Sequence, residues 1–497
     1  MDRRRFLQSA AATAGLLALP RGASAQGWGA GSSAAHDLLL PAGTRAERVL
    51  ELFLNGGMGQ FETFYVVEEH GRPEDPNYPN QQWYLFDDVK DAYYRDLCGI
   101  ERDDWLQYFG LDAAGRRVNF GPLVMPLRQR PDVLSRTRVI VRQHDSPIHV
   151  VAVPFVLTGR HRGDVLMASQ GAHVQRHFLE REGGSRLAPY SYVLYPENTS
   201  DALFGRPSVA TGLHPGSARP LYMQVRSGSA IVDQLARNTL GSRSHAFDRL
   251  VSRHAEELRR RYEGGSIQRS PVLDDFDAEL LSVQNAPALR QILDPSLFTL
   301  DHVETCGYAG EDPVAPLMRA GVHLLTHPVL PARHVTLINN ALGDEIWDPH
   351  FGHMAHQTTN WPHTLQLLMD LINEPGENDP RKLNLDDTMI VINSDFGRSP
   401  TKQADTIEGT NHWPHGYVSL MIGGPIGEDQ AGVVGAIGPN AVATDFISTL
   451  DERAAVLAAM GIYPFEREAF NLGEVQGLSN PADGVAYLNE VVLGRRP

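Results

Sequence analysis

Only two of the 497 residues are cysteine, Cys98 and Cys306, so a disulfide scaffold does not hold this chain together. Basic side chains are also short, 44 against 60 acidic, and the formal charge is −16 with no run of Lys or Arg. A phosphate backbone would be repelled, which excludes nucleic acid as a partner. Beyond residue 25 no stretch nears the roughly 18 consecutive apolar residues of a membrane-spanning helix, so no stable membrane insertion is expected. The nucleotide loops are missing too. Asn55-Gly56-Gly57-Met58-Gly59 lacks the Lys-Ser/Thr of a phosphate loop and the Rossmann spacing. There is no Gly-x-Ser-x-Gly elbow, and Asp395-Phe396-Gly397 has no kinase catalytic loop to accompany it. What remains, at 42% hydrophobic and 21% charged, is the composition of a large globular protein.

The first 25 residues read as an export leader. Arg3-Arg4-Arg5-Phe6-Leu7 is followed by a small, apolar run from Ser9 to Leu19 and by Ala23-Ser24-Ala25, an A-x-A cleavage site. The Arg3-Arg4-x-Phe6-Leu7 order resembles the twin-arginine signal of bacterial proteins exported already folded. Periplasmic or extracellular location is the expectation, with the twin-arginine translocase as partner during export. There the two cysteines can pair, although sequence alone does not place them together. Residues 26–46, rich in Gly, Ala and Ser, read as a flexible linker, and residues 47–497 as the folded domain.

Four short apolar runs end in polar residues: 48–54, 137–142, 334–339 and 388–394. Such runs predict buried parallel strands, and ligand sites lie outside the carboxyl ends of strands of this kind. Three- and four-residue periodicity predicts helices over 246–262 and 364–372. The alternation predicts an α/β three-layer sandwich with a mostly parallel central sheet, and residues of about 160–330 a helix-rich insertion over it.

Twenty histidines are unevenly spread. Asp348-Pro349-His350-Phe351-Gly352-His353-Met354-Ala355-His356 follows one strand; Asp395 and Asn411-His412-Trp413-Pro414-His415 follow another. Imidazole and carboxylate ligands at neighbouring strand ends suit a divalent metal, Zn foremost, with Mn, Mg, Ca or Fe open. Surface histidines making ordinary hydrogen bonds are the alternative. Ser146, between Asp145 and Pro147 with His149 nearby, is a candidate nucleophile or a turn cap. Arg160 and Arg398 are each candidates to clamp a tetrahedral oxyanion or to form a structural ion pair.

Several segments together resemble the bacterial family called domain of unknown function 1501, placed in the alkaline phosphatase and sulfatase-like superfamily. They are Phe53-Leu54-Asn55-Gly56-Gly57 with Glu62-Thr63-Phe64, Leu157-Thr158-Gly159-Arg160, Met318-Arg319-Ala320-Gly321-Val322, Trp347-Asp348-Pro349-His350, Ser394-Asp395-Phe396-Gly397-Arg398-Ser399-Pro400, Asn411-His412-Trp413-Pro414 and Met460-Gly461-Ile462-Tyr463. The resemblance implies an alkaline phosphatase-like fold with metal ligands and a Ser or Thr nucleophile, hydrolysing a small anionic phosphate or sulfate ester. Laid on this chain it implies a metal held by Asp348, His350, His353 and His412, with Glu62 as the carboxylate nearest the first strand. Asp395 becomes a ligand or base, Ser146 the nucleophile, and Arg398 or Arg160 the clamp. The chain departs from the superfamily pattern at Phe396, where a His is usual, and at Asn55 and Gly59, where acids are usual. Those departures leave a second expectation, a scaffold that has lost catalysis and binds a ligand or protein partner in the cell envelope.

Overall fold

The computed structural model describes residues 27–31, 37–72, 80–181, 189–196, 220–225, 295–343, 347–404, 407–466, 468–475 and 478–495, with isolated positions between them. The leader read at residues 1–25 lies outside the described residues, as does most of the helix expected over 246–262.

The four apolar runs form strands at the bounds expected: β1 (Arg48–Leu54), β2 (Thr137–Arg142), β5 (His334–Asn339) and β6 (Thr388–Ser394). Between and after them lie β3 (Ser191–Pro196), β4 (Leu221–Val225), the hairpin strands β7 (Gly397–Ala404) and β8 (Ile407–Trp413), β9 (Tyr417–Gly423) and β10 (Gly432–Val434). Eight of these make one sheet in the order β10-β2-β9-β6-β1-β5-β3-β4. All its pairings are parallel except those of β9, which runs against β6 and β2. The region expected as an insertion therefore contributes β3 and β4 to one edge of the sheet itself.

Helices α1 (His149–Thr158), α2 (Gln170–Arg181), α3 (Val314–Thr326), α4 (His353–Asp370) and α5 (Thr449–Ala459) cover both faces. Successive strand side chains point to opposite faces, and the two faces take different partners. Leu50, Leu52 and Leu54 of β1 share a core with Leu317, Leu324 and Leu365 of α3 and α4. Val49 shares one with Ala454, Leu457 and Ala458 of α5, and Phe53 one with Val153 and Val156 of α1. The result is a three-layer α/β arrangement. No helix among the described residues is long and apolar enough to cross a membrane.

Two details differ from the sequence expectation. Helix α4 starts at His353 rather than near 364; its first turns are buried His, Gln, Thr and Asn, so apolar periodicity is silent there. Within the segment read as a linker, Trp28, Leu39, Leu40 and Ala46 are buried. Trp28 is held by its backbone N–H on Glu180 and its carbonyl against His177. Cys98 and Cys306 form a disulfide, their Cα atoms 4.5 Å apart across 208 residues of sequence.

Candidate metal centre

The carboxyl ends of β1, β2, β5 and β6 meet at one edge of the sheet, and each delivers one part of the site. After β1 the chain turns sharply through Gly56 and Gly57, at φ 133° and 116°. A Cβ on Gly56 would stand 2.6 Å from the Asp348 nitrogen, so only glycine lets the Asp348 loop approach. After β5 that loop brings Asp348. After β6 comes Asp395, fully buried, with Oδ1 taking the Gly56 N–H at 3.1 Å and the Ser394 hydroxyl at 3.3 Å. After β2 the chain passes His144 and enters α1, whose first residue is His149. His144 Nε2 lies 2.6 Å from the Asp395 carbonyl, and its Nδ1 accepts the Ser146 N–H at 3.2 Å, so the two strand-end turns are tied together.

The hairpin β7–β8 supplies the rest. Arg398 and His412 sit directly opposite each other across it, on one face, and both reach Asp348 Oδ1, at 2.7 Å and 2.9 Å. His350 Nε2 stands 3.2 Å from the same oxygen and 3.0 Å from His412 Nε2. His149 Nε2 lies 3.2 Å from Asp348 Oδ2. One ligand atom each from His149, Asp348 and His412 fall within 4.8 Å of one another.

The outer nitrogens fix the tautomers. His412 Nδ1 donates to the Pro147 carbonyl at 2.6 Å, His350 Nδ1 to the Gln403 side-chain oxygen at 2.9 Å, and His149 Nδ1 to the Asp395 carboxylate. In the neutral ring the other nitrogen then carries a lone pair. Three imidazole nitrogens therefore face one carboxylate, an arrangement stabilised by a cation or by protons on the rings. Histidines that bind metal are oriented by outer hydrogen bonds of this kind. Donors sharing one tetrahedral zinc at about 2.0–2.1 Å stand roughly 3.3 Å apart, and the spacings found, 2.9 to 3.2 Å, approach that value. The donor set that meets around one point, and so fits a divalent metal, is His149, His412 and Asp348, with His350 beside His412.

Electrostatics agree with that reading. Burial works against charge on His149, but its hydrogen bonds to Asp348 and Asp395 and the charge of both carboxylates outweigh it and hold the ring protonated up to about pH 10. Burial likewise opposes ionisation of Asp348, yet His149, His412 and Arg398 keep its carboxyl well below the usual range. The proton on His149 stands where a metal would otherwise supply positive charge.

Of the residues expected at the metal, Asp348, His350 and His412 are brought together. His353 and Glu62 are not: they face each other behind the site, His353 Nε2 3.5 Å from Glu62 Oε2, because His353 opens α4 and points into the core. Asp395 orients His149. Arg398 is 1% exposed, and its guanidinium is spent on Asp348, on the Gly56 carbonyl at 3.1 Å and on the hydroxyl and carbonyl of Thr410. Arg160 lies past the far end of α1, a helix of 10 residues and so about 15 Å long, paired with Glu474 at 2.7 Å and the Ala469 carbonyl at 2.6 Å. Both arginines are structural ion pairs here, not free clamps. Ser146 Oγ takes the Ile148 N–H at 3.4 Å, which is the contact of a turn cap. His149, noted only as a neighbour of Ser146, is the candidate ligand that sequence reasoning missed; its signal was its place just beyond the polar end of β2. Phe396 is buried, stacks on His412 with ring centroids 4.2 Å apart and meets the His149 ring at a tilt, centroids 4.9 Å apart.

No curated protein matches the chain. The family described as "Protein of unknown function (DUF1501)" matches residues 46–487, which take in every residue of this site, and the chain belongs to that family.

Proposed function

We propose that this chain is an exported, metal-dependent hydrolase of phosphate or sulfate esters, built on an alkaline phosphatase-like fold and delivered by a twin-arginine leader. The observation that carries the reading is the convergence of three imidazole rings on Asp348, each held from behind by its own partner. A divalent metal bound there would polarise an ester oxygen and lower the pKa of a bound water toward neutrality. The chain's own residues divide the remaining work. Asp395 holds His149 in its tautomer, Arg398 holds Asp348, and Phe396 packs two of the rings in place. His149 and His350 are partly exposed, with side-chain exposures of 27% and 31%, so substrate approaches from their side. Ile148 and Phe351, their chain neighbours, are exposed apolar residues and suit an ester with an aryl or alkyl group.

A second reading, a non-catalytic scaffold that binds a ligand or partner in the envelope, is favoured by one observation: both candidate anion clamps are consumed by internal partners. A panel of aryl phosphate and aryl sulfate esters, assayed with the mature protein loaded in turn with Zn, Mn, Mg, Ca and Fe, separates the two. Metal-dependent turnover that disappears in His412→Ala supports the hydrolase. Stoichiometric metal without turnover on any ester supports the scaffold.

A further inference from the structure

Behind the metal centre runs a line of buried polar side chains that the hydrolase reading leaves unused. Glu62, His353, Thr410 and Arg398 are 3%, 1%, 0% and 1% exposed. They link in sequence to Asp348: Glu62 Oε2 to His353 Nε2 at 3.5 Å, His353 Nδ1 to Thr410 Oγ1 at 2.9 Å, Thr410 Oγ1 to Arg398 Nε at 3.1 Å, and Arg398 Nη1 to Asp348 Oδ1 at 2.7 Å.

Arginine only donates, so one lone pair of Thr410 Oγ1 accepts from Arg398 Nε. The hydroxyl keeps its own proton to give, and His353 Nδ1 stands 2.9 Å away in position to accept it. With the hydroxyl proton given to Nδ1, the His353 proton lies on Nε2, which faces the Glu62 carboxylate at 3.5 Å without a hydrogen bond. Phe86 stacks on the His353 ring, centroids 5.0 Å apart and planes within 13°, so the ring cannot turn to exchange its nitrogens.

Thr410 holds Arg398 by two atoms, since its carbonyl also accepts from Nη2. It lies two residues before His412 on β8, and alternate strand residues share a face, so one strand sets both a metal ligand and the anchor of the arginine beside it. We propose that Thr410 is a positioning residue for the metal carboxylate, and that the buried Glu62–His353 pair exists to fix the direction of its hydroxyl. Through Arg398 this line holds Asp348 Oδ1, the oxygen that His350 and His412 also reach. Outer partners of this kind change metal affinity by about 10- to 100-fold when removed.

The inference rests on the metal reading above, and the test separates the two. Metal affinity is measured by competition with a chromophoric chelator for wild type, Thr410→Ser and Thr410→Val, alongside the thermal midpoint of each metal-free protein. Serine keeps the hydroxyl and should bind within about threefold of wild type, whereas valine, which keeps the shape, should bind about 10- to 100-fold more weakly. Equal binding by the valine variant, or equal loss in both variants, overturns the proposal. The second readout needs no metal: ¹⁵N-histidine spectra of the metal-free protein, with His353→Asn to identify the signal, should show His353 protonated at Nε2. Thr410→Val should release that tautomer. A proton on Nδ1 in wild type refutes the relay even where metal binds, and a wild type that binds no metal but shows the Nε2 tautomer refutes the metal reading while leaving the relay in place.

Discussion

A single carboxylate, Asp348, is asked to serve three imidazoles and a guanidinium, and the rest of the site can be understood as the means of keeping it in position. Removing His149 or His412 should abolish metal retention, because each supplies a ring nitrogen held toward Asp348 by a hydrogen bond on its far side. Gly56→Ala tests the approach of the loop rather than a ligand. Its Cβ would strike the Asp348 backbone, and its φ of 133° is strained for alanine, so chemical denaturation should show a loss of about 1–3 kcal/mol together with weakened metal binding. Arg160→Ala gives the opposite pattern. Removing its bond to the buried Ala469 carbonyl, together with its pair with the exposed Glu474, should lower stability by about 1–3 kcal/mol while metal binding and any ester hydrolysis stay at wild-type levels. A loss of activity larger than the loss of folded protein would restore Arg160 to the site.

Elements, more than residues, decide what a sequence discloses here. The four strands ending near Asn55, Gln143, Asn340 and Asp395 were legible because a buried parallel strand is a short apolar run with a polar stop, a pattern local to seven or so residues. The Asp348 and His412 clusters were legible as chemistry for a similar reason: several ligand types fall within one loop. His149 was not, since it is one histidine opening a helix and joins the candidate ligands only when β2 and β5 lie in the same sheet. His353 misled in the other direction. It belongs to the same nine-residue cluster as His350, yet the helix that begins at His353 turns its side chain into the core, toward Glu62 and Phe86. The hairpin β7–β8 carries the same lesson, because Arg398 and His412 are 14 positions apart in the chain and directly opposite in the ladder. Charge and spacing alone do not distinguish an arginine that clamps an anion from one that holds a carboxylate.

At the scale of the whole molecule, the sheet is joined to α5 by a charged network with no solvent access. Glu51 on β1 pairs with Arg453, Arg453 with Glu452, and Glu452 with Arg142 on β2 and the Ser419 hydroxyl on β9. Burial opposes the charge on Glu452, but Arg142 and Arg453 and the Ser419 hydrogen bond outweigh it and hold its carboxyl down at about 2. Its stabilising share is therefore complete above the ordinary carboxylate range and is lost as pH falls toward 2. Three buried histidines add to this from higher pH. Burial lowers His173 and His334 to about 3 and His177 to about 4, so protons bind the unfolded chain first and stability drops as pH falls below the usual imidazole range. Denaturant midpoints should thus decline steadily from pH 7 to pH 4 and steepen below; a flat profile would show that these groups are not buried as described. Removing one partner, as in Arg142→Met, leaves Glu452 charged and short of a partner, and should cost about 3–5 kcal/mol. The disulfide acts at the same scale. Reducing Cys98–Cys306, which closes a loop spanning 208 positions, should lower stability by about 4–5 kcal/mol without releasing metal, since neither cysteine touches the site.

The central claim is a metal held by His149, His412 and Asp348, and elemental analysis of the mature protein, purified without chelator beside its His149→Ala variant, tests it most directly. The account predicts close to one divalent metal per chain in the wild type and almost none in the variant. A wild type that stays metal-free after reconstitution, or a His149→Ala protein that keeps its full equivalent, would contradict it.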